Sequence, residues 1–168
     1  MKNLHLNNLL LCSLFGALAL LAFMLESLFP PLIIPGAKLG VSNVFVLLST
    51  IILGKKYGVM TLLVKVVLGS IFSGNPSAII YSLPSGILAL TIEIILLHFV
   101  NDLSVVAVSV AGAVVNISVQ NVIFCFYTST LGHLVYLPYL ALVGIIGGTV
   151  TGFIIYLAIK NLPQSKLG

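Results

Sequence analysis

The segment Asn8–Phe29, NLLLCSLFGALALLAFMLESLF, holds a single ionisable side chain, Glu26, in 22 residues. Wound as an α-helix at about 1.5 Å per residue it reaches ~33 Å, enough to cross a hydrocarbon core of ~30 Å. Pro30 and Pro31 then end the helical pattern. The apolar run does not stop at an A-x-A site but continues to Leu25, which reads as a retained span and not a cleaved signal peptide. Cys12 follows a large residue, Leu11, where a lipobox needs a small one.

Five further apolar segments follow, separated by polar, Gly and Pro punctuation. The expected spans are 8–29, 38–53, 57–73, 78–98, 104–127 and 138–160, the last starting at a favourable helix-opening proline, Pro138. The second and third are short for a span. The segments are continuously apolar and lack period-two alternation, which argues against a β-barrel. The composition agrees. Hydrophobic residues make up 60% and charged residues 6% of the 168, against roughly 25% charged in soluble domains. Mean hydropathy is +1.28. The expected fold class is all-α, a polytopic membrane protein of about six helices forming a single transmembrane domain over residues 1–168.

The net charge of +4 comes from seven lysines without arginine. They form no basic block, so no nucleic-acid partner is expected. With six spans, Lys2, Lys55, Lys56, Lys160 and Lys166 share one side, Lys38 takes the other, and Lys65 lies within the third span. That bias predicts cytoplasmic termini. The two cysteines, Cys12 and Cys125, lie in separate apolar runs and read as small buried residues.

Polar side chains within the spans are few, and such groups tend to be functional. Glu26 and Lys65 could pair if their helices touch. Glu93 and His98, near the inner end of span four, read as snorkelling or locally paired. On span five, Asn116 and Gln120 differ by about 40° in bearing and share a stripe with Ser109. Amides in hydrocarbon either glue helices together or line a polar cavity. Tyr81 and Ser85 in span four, Lys38 and Asn43 at the start of span two, and Gln120 all fall in the outer half. The candidate substrate-binding residues are therefore Glu26, Lys38, Asn43, Lys65, Tyr81, Ser85, Asn116 and Gln120. Small residues permit close helix approach. Gly144, Gly148 and Gly152 form a ridge suited to packing within the chain or to another subunit. Ser13 and Ala17, beside Cys12 and Gly16, make span one a candidate partner-docking face.

Catalytic signatures are missing. Three carboxylates, Glu26, Glu93 and Asp102, sit on different segments, whereas a prenyl-diphosphate synthase needs clustered aspartates for magnesium and diphosphate. There is no Walker A loop, no metal-ligand spacing of Cys and His and no nucleophile elbow. No catalytic residue, metal or cofactor is expected, and the chain does not read as an enzyme.

The run ESLFPPLIIPGAKLGVSN, Glu26–Asn43, resembles the Gx transporter family of bacterial membrane proteins, also known as heptaprenyl diphosphate synthase component I. Pro35, Gly36, Lys38, Leu39, Gly40 and Asn43 match its P-G-x-K-L-G-x-x-N pattern. KVVLGSIFSG, Lys65–Gly74, is similar to its basic segment, with Lys65 where Arg is commoner. NISVQN matches an N-x-x-x-Q pattern at Asn116 and Gln120, with Val115 where a His often stands. The resemblance implies an S-component of an energy-coupling factor (ECF) transporter: six helices, a pocket near the outer face, and a small-residue face on helix one that docks on a coupling protein driven by two ATPases. The bacterial plasma membrane is the implied location. The alternative it implies is a non-catalytic membrane subunit for heptaprenyl diphosphate synthesis, or a partner of extracytoplasmic flavin- or quinone-linked redox proteins.

Overall fold

The computed structural model describes residues 2–28, 40–100 and 103–161. The described elements are helical, with no strand among them: α1 (Lys2–Leu28), α2 (Ser42–Leu53), α3 (Lys55–Phe72), α4 (Ala78–Phe99), α5 (Val105–Thr128), a 3₁₀ turn (Leu131–Tyr136) and α6 (Leu137–Lys160). Four apolar stretches are long enough to cross a membrane: Leu6–Ser27, α4, α5 and Gly132–Lys160. The protein is a multi-pass helical membrane protein.

The second and third segments differ from the other four. α2 has 12 residues, about 18 Å of helix. It starts at Ser42 and not at the expected residue 38; Lys38 lies outside the described residues. α3 has 18 residues but carries Lys55, Lys56 and Lys65. The connection ahead of α6 is wound as a 3₁₀ turn, and Pro138 sits in the first turn of α6 as expected.

Helix α2 is the centre of the bundle. It touches α1, α3, α4 and α6, and it buries Ser42, Val44, Val46, Leu47, Leu48, Ser49 and Thr50. A helix that is apolar all round is enclosed by others, so α2 can be short without exposing its ends along the lipid boundary. Gly54, at φ 102°, reverses the chain between α2 and α3 in one residue. The two helices then run very close: a Cβ on Gly58 would fall 2.0 Å from Thr50 Oγ1.

Helix α1 packs on α2 and α3 through Cys12, Gly16, Ala19 and Phe23, all buried. These positions recur every three or four residues, one face of a helix. Thr61 Oγ1 of α3 lies 3.0 Å from Ser49 Oγ and 3.7 Å from Cys12 Sγ, linking all three helices. The opposite face of α1 is exposed and rich in leucine, from Leu6 to Leu25.

Helices α5 and α6 meet along the glycine ridge. Added Cβ atoms at Gly144, Gly148 and Gly152 would lie 3.1, 2.6 and 2.7 Å from the Cα atoms of Val114, Val110 and Val106. Each glycine admits the neighbouring backbone. A hydroxyl pair, Ser109 and Thr151 at 2.8 Å, fastens the same seam. Gly148→Leu should therefore lower thermal stability in detergent by about 1–3 kcal/mol, the usual cost of overpacking. Gly132→Ala, with nothing within 4 Å of its Cβ, should leave the melting temperature within error of the parent.

Candidate functional site

The loop into α2 supplies the first wall of the site. Gly40, at φ 76°, turns the chain. Val41 N–H then donates to Glu26 Oε1 at 2.7 Å and Ser42 Oγ to Oε2 at 3.2 Å. A carboxylate at a helix N-terminus satisfies free N–H groups and complements the helix dipole. The sequence left a Glu26–Lys65 pair open; Glu26 anchors α2 to α1, and Lys65 Nζ of α3 donates to Asn43 Oδ1 of α2. Lys65 is buried, so its ammonium needs such oxygen partners.

The opposite wall comes from α4 and α5. Gln120 Nε2 donates to Ser82 Oγ at 3.3 Å. Asn116 lies one turn before Gln120 on the same face, and among the described residues its amide has no hydrogen-bond partner. Glu26, Asn43, Lys65, Ser82, Asn116 and Gln120 together line a cavity of about 50 Å³, closed on its other sides by Phe23, Leu62, Val66 and Ile117. A water needs roughly 10–15 Å³ by this measure, so the cavity has room for about four. It lies at the Asn43 end of α2, with Lys55 and Lys56 exposed beyond the other end.

Five of the eight candidate binding residues thus converge: Glu26, Asn43, Lys65, Asn116 and Gln120. Two lie elsewhere. Tyr81, in the first turn of α4, lies edge-on to Phe124 at 5.5 Å and accepts from Asn75 Nδ2 at 3.4 Å. Ser85 donates to the Ser82 carbonyl at 3.1 Å and does not line the cavity. The eighth, Lys38, is outside the described residues. Of the docking candidates, Gly144 and Gly148 are buried under α5; of the two readings of that ridge, packing within the chain holds, and a partner there would have to displace α5. Ser13 and Ala17 are exposed on α1, with Ser13 Oγ satisfied by Leu9 O at 2.9 Å.

Two cavity-lining residues, Ser42 and Ser82, were not among the sequence candidates. Ser42 and Ser82 carried no signal beyond being serines near helix starts. Glu93 does not snorkel: it is buried, and its carboxyl fills the space left by Gly112. Six residues separate it from Phe99, about 9 Å along the helix, more than a two-methylene side chain can climb.

Within the cavity the Ser42 hydroxyl donates to the Glu26 carboxylate, the same contact that anchors the start of α2. Among the described residues no three His, Cys, Asp or Glu side chains group as metal ligands. The fold and the site define a helical membrane protein with an internal polar pocket. The family model for heptaprenyl diphosphate synthase component I matches residues 15–157, and the chain belongs to that family. A search of curated proteins and one of solved structures found no match.

Removing the α2 anchor should loosen the pocket wall. In Glu26→Ala, hydrogen–deuterium exchange at Val41–Val44 should rise about tenfold or more, from losing a charge-assisted bond of roughly 1.5–3 kcal/mol. Glu26→Gln, which keeps an acceptor, should fall between. Equal exchange in all three proteins would show that the carboxylate does not hold the helix.

Proposed function

We infer that the chain is a membrane solute-capture subunit that resembles an ECF S-component, with six helices acting as one transmembrane unit in the bacterial plasma membrane. The observation that carries this reading is the convergence of one ammonium, one carboxylate, three side-chain amides and two serine hydroxyls from α1, α2, α3, α4 and α5 on a single cavity inside an apolar bundle. Ligand pockets combine apolar walls with a few placed polar groups, and this cavity has both. Five lysines against one favour cytoplasmic termini, which turns the Asn43 end of the bundle outward. Tyr81, beside Asn75 at the start of α4, belongs to the outer rim of the site in this reading. At about 50 Å³ the cavity admits a small polar or anionic group of the solute, and a larger solute enters by helix separation. Energy comes from partners, a coupling protein and ATPases, docking on the exposed face of α1, where Ser13 and Ala17 form a notch among leucines. The chain itself works without cofactor or catalytic residue.

Native mass spectrometry of the purified protein tests this reading. A small molecule should co-purify, and Asn116→Ala and Gln120→Ala should each weaken its retention by about tenfold, the effect of a lost buried hydrogen bond of ~1.5 kcal/mol. No adduct from any growth condition, with identical spectra for the variants, contradicts it.

The family description favours a second reading, a non-catalytic membrane component that recruits a polyprenyl diphosphate synthase; a flavin- or quinone-linked redox partner belongs to the same class. Affinity purification from native membranes separates the readings. The capture role predicts ATPase and coupling subunits in the eluate, lost on Ala17→Leu. A soluble prenyl synthase or a flavoprotein in their place, unaffected by Ala17→Leu, selects the second.

A further inference from the structure

Glu93 is a buried carboxyl that the capture pocket does not use. It lines a second cavity of about 10 Å³, room for about one water, together with Asn43, Asn116 and Gly112. The two asparagines also line the larger cavity, so the spaces are neighbours. The fold makes room for the carboxyl: a Cβ on Gly112 would fall 2.0 Å from Glu93 Oε1. Among the described residues Glu93 has no hydrogen-bond partner, and the rest of its cavity wall is apolar. The charged group that acts on it among the described residues is Lys65 of α3. Lys65 lines the larger cavity, and so does Glu26. That cavity therefore holds one ionisable side chain of each sign, and Glu93 is the carboxyl left without a cation of its own.

A bare carboxylate at this depth is costly, and buried charges pair or coordinate metals. Hard cations take oxygen ligands. This cavity offers both carboxyl oxygens of Glu93 and the amide oxygens of Asn43 and Asn116. Asn43 Oδ1 accepts from Lys65 and keeps a second lone pair. The Asn116 amide has no hydrogen-bond partner among the described residues, so its oxygen is available. We propose that Glu93, Asn43 and Asn116 form a site for one alkali-metal cation, sodium or potassium, beside the capture pocket. A single monovalent cation balances the charge of Glu93. Divalent ions do not suit the space: magnesium keeps several waters and calcium takes about 6–8 oxygens. No thiol or imidazole lines the cavity to favour a transition metal. Asparagine amides follow no Cys/His ligand spacing, so the sequence carries no signal for such a site. The inference goes beyond the capture reading and does not need it. Beside a working capture pocket, the cation fixes how Asn43 and Asn116 are turned toward the solute.

The test uses the full chain in lipid nanodiscs, with the chloride salts of sodium, potassium and choline as probes at equal ionic strength. Choline is too large for a one-water cavity and serves as the blank. Sodium or potassium should raise the melting temperature progressively with concentration, as one bound ion does by linkage, and the larger response identifies the ion. Infrared difference spectra between that salt and choline should show a shifted carboxylate stretching band. Glu93→Gln, which keeps the shape, should remove the band and melt alike in all three salts. In Asn116→Ala the concentration giving half the band shift should rise about tenfold or more, the effect of losing one bond to a charged group. This arm stands even if Glu93→Gln fails to fold. Equal melting of the parent in all three salts, a cation response that survives in Glu93→Gln, or an unchanged midpoint in Asn116→Ala overturns the proposal. No solute is added in these measurements, so a negative result leaves the co-purification outcome untouched, and the converse holds.

Discussion

A lysine ammonium cannot sit bare in the middle of an apolar bundle. Lys65 is 5% exposed, on a helix whose neighbours are mostly aliphatic. Its presence requires oxygen atoms nearby, and one of them is Asn43 Oδ1, at the entry of α2. That requirement fixes where α2 begins. Glu26 fixes it a second time, by holding Val41 N–H and Ser42 Oγ from the end of α1. α1, α2 and α3 are thereby registered against each other at one end, and the Gly54 reversal and the Thr61–Ser49 bond register them at the other. The cavity is the space this polar registration leaves open beside the tighter α5–α6 seam.

The two halves of the bundle are held by different means. α5 and α6 meet through glycines pressed onto valine backbones, which leaves little freedom to separate. α1, α2 and α3 meet around a charged and hydroxyl-bearing interior, with Phe23 filling the space above Gly69. Polar contacts inside a membrane protein add about 0.6–2 kcal/mol each, and here they supplement glycine contacts such as Gly58 against Thr50.

Much of this was legible in the residues. Continuous apolar runs bounded by Pro, Gly and Lys gave the helices and their order, because hydrocarbon permits little other structure. The stripe of Asn116 and Gln120 gave one wall of the site, since amides at helical spacing in an apolar run must face something polar. The start of α2 was misplaced by four residues because its cap is Glu26, 15 positions away from Val41, and no local signal reports so distant an acceptor. The glycine ridge showed a close approach but not which helix comes close; Val106, Val110 and Val114 supply that surface only once α5 is in place. Of the two readings of Glu93, snorkelling failed because its carboxyl lies against Gly112, a contact between helices invisible from the spacing of either. Tyr81 and Ser85 shared the depth of Ser82 but not its bearing, and bearing decided which hydroxyl reached Gln120.

Whether the polar cluster is an open pocket or sealed glue between helices is decided most directly by thiol labelling in intact cells. Cys12 and Cys125 are replaced by alanine, and single cysteines are placed at Gln120, at Ser82 and, as a control for the other face, at Lys55. A membrane-impermeant reagent added from outside should modify Gln120→Cys and Ser82→Cys and should reach Lys55→Cys only in inverted membranes. Labelling of Lys55→Cys from outside, or two pocket cysteines silent from both faces in a folded protein, would contradict an outward-open capture site.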